Sequence, residues 1–323
     1  MRPPKLLAGL AFFAYALTAS AQQYPTRPVS IVVPFAAGGP TDTVARSVAV
    51  AMEKSLGGNV IVENKPGAGG TIGVADVARA PADGYKLLVY HIGMATAPAL
   101  YRKLPFDPLK DFEYVGLIND VPMTLLSKPQ LQTKDAKELV AYLKANKDTV
   151  TLANAGLGAA SHLCGLLFQQ AIETDLTTVP YKGTAPAITD LIGGQVDVLC
   201  DQTTNTTEQI RAGKVKAYVL TASKRLDSLK DIPTAAEVGL PGFELSIWHG
   251  LYAPKGTPKP VMDKLVAALQ AALKDPGLNK RFSDLGAVTV STDRATPEAL
   301  GKHLKAEIDK WTPIIKKAGQ YAD

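Results

Sequence analysis

The sequence predicts an α/β protein of two lobes, each a sheet with flanking helices, hinged by two crossovers. Three observations predict it. Strand-like and helix-like pieces alternate from Val29 through the stretch KLLVYHI. The alternation restarts at Thr133 and runs through KVKAYVLTA. The remaining tail then holds three amphipathic helical patterns but too few strands for a third sheet.

Taken in order, SIVVPF is a run of buried β-type residues. TDTVARSVAVAMEKSL carries apolar residues at helical spacing until Gly57 and Gly58 stop it. NVIVEN is a second strand, TIGVADVARA a short helix and KLLVYHI a third strand. Parallel neighbours need crossover connections, so this βαβαβ succession implies a parallel sheet with helices on its faces. DFEYVGLINDVPMTLLSK is the passage to the second lobe. There helix TKDAKELVAYLKAN, strand TVTLAN, helix SHLCGLLFQQAI, strand TTVPYK, helix PAITDLIGG, strand QVDVLCD, helix TTEQIRAG and strand KVKAYVLTA follow one another. LPGFELSIWHGLYAP reads as extended chain that returns to the first lobe, where the three last helices pack. The expected division is lobe 1 from residues 22–123 and 246–323, and lobe 2 from 124–245, with crossings near 119–128 and 243–254.

The first residues carry two positive charges, an apolar run and an A-x-A arrangement at Ala19 and Ala21, the pattern of a cleavable secretory signal over residues 1–21. The run falls short of the roughly 20 residues a spanning helix needs. A periplasmic protein cut after Ala21 is the expectation. Without Arg2 and Lys5, the formal charge falls from +5 to +3, and no cluster of Lys and Arg interleaved with aromatics suggests a nucleic-acid partner. His91, His162, His249 and His303 are too scattered for zinc-ligand spacing, so neither metal nor cofactor is expected. Cys164 and Cys200 are compatible with one disulfide in an oxidising compartment; two buried free thiols are the plainer alternative, since each has apolar neighbours.

Ligands of open α/β sheets bind beyond the carboxyl ends of strands. Four loops occupy such positions: AAGGPTD (36–42), KPGAGG (65–70), AGLGAASH (155–162) and YKGTAP (181–186). Each is rich in small residues and precedes a helix. Glycine lets backbone N–H groups face an anion, and the following helix adds the positive end of its dipole. The spacing fits neither the dinucleotide fingerprint nor the Walker loop, because Ile72 and Ser161 stand where a third glycine belongs. A carboxylate needs only a few N–H and hydroxyl donors, and Thr41, Thr71, Ser161, Thr184 and Thr203 supply hydroxyls. Enzyme motifs are missing: there is no G-x-S-x-G elbow and no H-E-x-x-H. Ser161 beside His162 is no dyad, since adjacent helical side chains diverge. Asp201 ends a strand at the cleft, where it orients a ligand hydroxyl or water or caps the next helix. Asp42 falls in a first helical turn and is assigned to the dipole rather than to the ligand.

VVPFAAGGPTDTVAR, VENKPGAGGTIG, ADGYKLL, SHLCGLLF with VPYKGTAPAITDLIGGQVDV, and GLYAPKGTP together resemble, in order, the landmarks of the substrate-binding proteins of tripartite tricarboxylate transporters, the Bug family of periplasmic receptors. The likeness covers essentially the whole chain after the leader. It implies a two-lobed periplasmic-binding-protein type II fold that closes over a small carboxylate and delivers it to a permease of a large and a small subunit. It also implies ligand contacts at Ala37, Gly38, Gly39 and Thr41, at Gly70 and Thr71, and at Ala159, Ala160, Ser161, Tyr181, Gly183 and Thr184. His91 and Met94 look less typical and are assigned to ligand choice; Ala36 and Ala37 leave room near the first loop. No arginine sits at a loop tip, which favours a dicarboxylate with an apolar spacer, aliphatic or aromatic such as terephthalate, over a densely charged acid. The expectation is a monomeric receptor without turnover. Two other functions remain compatible: an exported hydrolase or isomerase using the same cleft, and a loaded sensor for a membrane signalling protein.

Overall fold

The computed structural model describes residues 24–319 and 321; the expected leader, residues 1–21, lies outside the described residues. The first strand, β1 (Val29–Val33), is wholly buried and lies parallel to β2 (Val60–Asn64) on one side and β3 (Lys86–His91) on the other. The helices α1 (Pro40–Leu56) and α2 (Thr71–Ala78) make the crossovers. Val44, Val48 and Met52 turn the apolar stripe of α1 onto the sheet, and burying each such side chain stabilises the fold by about 1.5–3 kcal/mol. Gly57, at φ 69°, ends α1 by donating its N–H to the Glu53 carbonyl.

Next comes α3 (Gly93–Leu100), which the sequence pattern did not signal. Nearly all its residues are buried, so no polar face marks a helical period. The passage DFEYVGLINDVPMTLLSK is in fact one 16-residue strand, β4 (Phe112–Ser127). From Phe112 to Pro122 it pairs antiparallel with β9 (Ser246–Pro254); from Met123 to Ser127 it pairs with β7 (Val198–Gln202) and β8 (Lys216–Leu220). Two register shifts with β9, between Tyr114 and Gly116 and between Leu117 and Asn119, bend it. β7 is flanked by the parallel β5 (Thr151–Asn154), which pairs in turn with β6 (Thr177–Pro180). The sheet order is therefore β2-β1-β3-β9-β4-β7-β5-β6, with β8 and the short β10 (Val288–Thr289) also on β4.

The second half carries α4 (Ala136–Ala145), α5 (Ala160–Ala171), α6 (Thr184–Ile192) and α7 (Thr203–Arg211). The tail carries α8 (Lys259–Leu273), α9 (Pro276–Asp284) and α10 (Pro297–Ala318); α8 packs on α1 and α10 on α3. One large apolar core runs through both halves, and a small second core under α6 is built from Ile188, Leu191, Val196 and Leu199 among others. Of the two alternatives for the cysteines the structure takes the disulfide: Cys164 on α5 is bonded to Cys200 on β7, with Cα atoms 6.0 Å apart. No helix among the described residues is long and apolar enough to cross a membrane.

Candidate functional site

Four helices begin at one place. α1 follows β1, α5 follows β5, α6 follows β6 and α7 follows β7 without a gap. All four strands present their carboxyl ends to the space between the two halves. A narrow cavity of about 10 Å³ lies there, lined by Phe35, Pro40, Thr41, His91, Ala155, Ala160, Ser161, Thr184, Asp201 and Gln202. That is about the room of a single water, so the halves must part to admit an organic ligand. Larger hollows exist on the outer surface, such as the groove between α1 and α9. None of the residues lining that groove leaves a buried polar side-chain atom without a partner, whereas Thr184 Oγ1 and Gln202 Oε1 in the central cavity are such atoms.

Among the described residues, no lysine or arginine lines the cavity. Positive potential comes instead from the helix ends, each equivalent to about half a charge, and from their unbonded first-turn N–H groups. Hydroxyls add donors. Ser161 Oγ accepts the Ala155 N–H at 2.8 Å, so its own proton is available to a ligand. Thr184 Oγ1 is buried and makes no hydrogen bond of acceptable geometry, although it lies close enough to Asp201 to help hold that carboxyl down.

His91 ends β3 and is fully enclosed. Its Nδ1 accepts the Gly93 N–H at 3.0 Å, which places the ring proton on Nε2 as a donor. Burial pushes its pKa down to about 3, so the ring is neutral. His249 on β9 stands 5.9 Å away, ring to ring. Burial, then the neighbouring His91, lowers its pKa well below the ordinary value. With the Asn119 amide in this orientation, His249 donates from Nδ1 to Asn119 Oδ1 at 2.9 Å and accepts the Thr41 hydroxyl at Nε2 at 3.3 Å. Asp201 is 1% exposed. Burial raises its pKa to about 6 against the pull of the Asn205 amide, which donates to its Oδ2 at 2.6 Å.

The first loop is fastened from below. Asp42 Oδ2 accepts the Gly38 N–H and Arg46 Nε, both at 2.9 Å, while Oδ1 accepts Asn64 Nδ2 at 2.9 Å. Burial would raise this carboxyl, but Arg46, Gly38 and Asn64 outweigh it and hold it below its ordinary value. Asp42 thus holds the loop together as well as facing the helix dipole.

Thr41, His91, Ala160, Ser161, Thr184 and Asp201 line the cavity. The other expected contact residues stand behind or beside it. Ala37 and Gly38 are exposed at the mouth, and the Gly38 N–H is already engaged by Asp42. Gly39 and Gly183 let the halves approach: a Cβ on Gly183 would lie 3.0 Å from the Ala36 nitrogen, beside the bond that this nitrogen donates to the Lys182 carbonyl. Ala159 is the N-cap of α5. Gly70 packs on the Tyr90 ring and donates to the Gly67 carbonyl, and the Thr71 hydroxyl donates to the Ala68 carbonyl. The loop KPGAGG therefore touches the opposite loop, Gly69 against the Leu157 carbonyl, rather than the cavity. Tyr181 turns its hydroxyl to Asp190 at 2.7 Å. Met94 is buried in the core, and Thr203 donates to the Gly286 carbonyl. Phe35 and Gln202 were not singled out from sequence, nor was His249 behind Thr41, whereas Pro40 and Ala155 lie in two of the four loops that were. A glutamine between the strand residue Asp201 and a helix start was the one available signal, since side chains there face the cleft.

The model of the tripartite tricarboxylate transporter family receptor matches residues 44–320. Among solved structures, the chain is 55% identical to the periplasmic binding protein BugD, with a TM-score of 0.91 over 93% of this chain and 100% of that one. It is 43% identical to MatC from Rhodopseudomonas palustris with bound malate, with a TM-score of 0.87 over 90% and 100% of the two chains. It is 32% identical to an R. palustris protein with adipate, with a TM-score of 0.86 over 92% and 98%.

Proposed function

Because the chain belongs to the tripartite tricarboxylate transporter receptor family, a family of periplasmic solute-binding receptors, we propose that it captures a small carboxylate, a dicarboxylate above all, in the cavity between its halves. The observation that carries this is the convergence of four helix N-termini from both halves on one enclosed space without a basic side chain. Similar proteins hold malate and adipate, both small diacids. The ligand-binding set is Thr41, His91, Ala160, Ser161, Thr184 and Asp201, with Gln202 and Phe35 completing the walls. The lobes are residues 22–123 with 246–323, and 124–245. They hinge where β4 exchanges β9 for β7 and β8, beside the last β4–β9 pair, Pro122 with Ser246.

Capture begins with an open cleft. A carboxylate first meets the free N–H groups and Thr41 on one lobe, and closure then brings Ala160, Ser161 and Thr184 onto it. The Ala36–Lys182 backbone bond and the Thr96 hydroxyl, which donates across the mouth to the Gly158 carbonyl at 3.0 Å, hold the closed form. The closed receptor delivers its cargo to a two-subunit permease, from a periplasm reached through a signal cleaved after Ala21.

A thermal-shift screen across mono-, di- and tricarboxylates tests this. The expected result is a rise in Tm with a di-acid, equivalent to about 2.7 kcal/mol at a hundredfold excess over Kd, with the ligand recovered unchanged. Turnover of the bound acid, or no shift with any carboxylate, overturns it. Co-purification with the permease subunits, against a membrane sensor, identifies the partner.

A further inference from the structure

The cavity walls are not uniform in hydrogen-bonding sense. His91 Nε2, the Ser161 hydroxyl and the Thr184 hydroxyl are donors, joined by the free amides at the starts of α1, α5 and α6. These suit carboxylate oxygens, which only accept. The wall at the end of β7 is the opposite. Asp201 carries a carboxylate with one oxygen held by Asn205, and Gln202 Oε1 is buried without a partner; both residues are 1% exposed. Turning the Gln202 amide over would still leave Asp201 an acceptor. Burial brings the Asp201 pKa only to about 6, so at pH 7.5 the group is still mainly ionised.

Oxygen facing oxygen in an enclosed cavity without a cation is repulsive, and two carboxylates so placed do not both stay charged. A ligand group with an N–H or O–H proton removes the conflict and satisfies Gln202 Oε1, the acceptor beside Asp201 that has no partner. We propose that Asp201, with Gln202 beside it, makes the cleft select carboxylic acids that also carry a hydrogen-bond donor, a hydroxyl or an ammonium group, over plain mono- and diacids. This rests on the carboxylate-receptor function proposed above. Asp201 then acts as the specificity-determining residue: the helix ends take the carboxylates, and the β7 wall takes the donor.

The test is calorimetric titration of the full chain at pH 7.5 with matched acids: succinate, malate and aspartate; glutarate, 2-hydroxyglutarate and glutamate; propionate, lactate and alanine. In at least one set the hydroxy or amino member binds about tenfold or more tighter than the plain one, the discrimination expected of a buried acceptor left unpaired. Asp201→Asn, which keeps the shape but replaces the carboxylate, removes most of that preference while plain-acid binding falls less or improves. A merely structural role would weaken all members alike. Plain acids that bind the wild type as tightly as their substituted partners overturn the proposal. Uptake of one proton on binding, read from titrations in two buffers of different ionisation enthalpy, would then assign Asp201 as a neutral donor. If Asp201→Asn fails to fold, the wild-type ratios decide alone. Binding of no acid in any set brings down the receptor function itself, and this inference with it.

Discussion

Gly69→Ala separates the folding of this protein from its closing. Gly69 adopts φ 61° and ψ 13°, the left-handed conformation, where an alanine costs about 1–2 kcal/mol. A Cβ there would fall on the Leu157 carbonyl oxygen of the opposite loop and 2.8 Å from the Tyr101 hydroxyl. The loops must part to admit it. Parting strains or removes the bond from the Thr96 hydroxyl to the Gly158 carbonyl at 3.0 Å; the Tyr101 hydroxyl, 3.2 Å from the Leu157 carbonyl, keeps its shorter bond to the Ala68 carbonyl at 2.7 Å. One such bond amounts to about 0.5–1.5 kcal/mol, or roughly 2- to 13-fold in affinity. In an open protein the methyl group meets no opposing loop, so the loss falls on ligand binding. Gly57→Ala is the control: φ is 69° and nothing lies within 4 Å of the added Cβ. Urea midpoints and calorimetric Kd values for the wild type and both variants, with the acid found in the carboxylate screen, give the answer. Both variants should lose similar stability, and only Gly69→Ala should lose affinity. A Gly69→Ala Kd within about twofold of wild type, less than the weakest such bond predicts, would refute the closure mechanism.

Three further outcomes follow from the site. His91 and His249 refuse protons that the unfolded chain takes up near pH 6.5. Stability therefore falls as pH drops below that value, by about 1.4 kcal/mol per unit for each ring. Asp201 runs the other way between its unfolded value and about 6, so Asp201→Asn should steepen the acid loss in denaturation measured from pH 7 to 4, and an unchanged slope would contradict the assignment. Thr184→Val removes a buried hydroxyl without a partner; the free protein should keep or gain stability while ligand affinity drops about two- to tenfold, as a melt and a titration together show. Replacing both cysteines by serine opens a disulfide that spans 36 residues and should cost about 3–4 kcal/mol in a denaturant series. It should also weaken ligand binding, because the bond ties the first turns of α5 to the residue beside Asp201.

The alternation of strands and helices was legible because each amphipathic period faces one core. TDTVARSVAVAMEKSL and KELVAYLKA show that period in full. Legibility failed where elements are buried on every side. The stretch GMATAPAL has no polar face to betray a helix, and β4 belongs to both halves of the sheet, so no alternation survives along it. The four glycine-rich loops marked the right end of the sheet for the same reason that strand ends face a cleft.

By itself, then, the sequence determined the α/β architecture, the family and the neighbourhood of the cavity, since those depend on local periodicity and on where small residues punctuate it. Only the tertiary structure decided which groups remain available there. The Gly38 N–H is engaged by Asp42, Gly70 serves the Tyr90 ring, and Thr41 meets His249 across 208 positions of chain. A hydrogen-bonding group is free or engaged according to neighbours that folding brings from distant segments, and no local pattern records that.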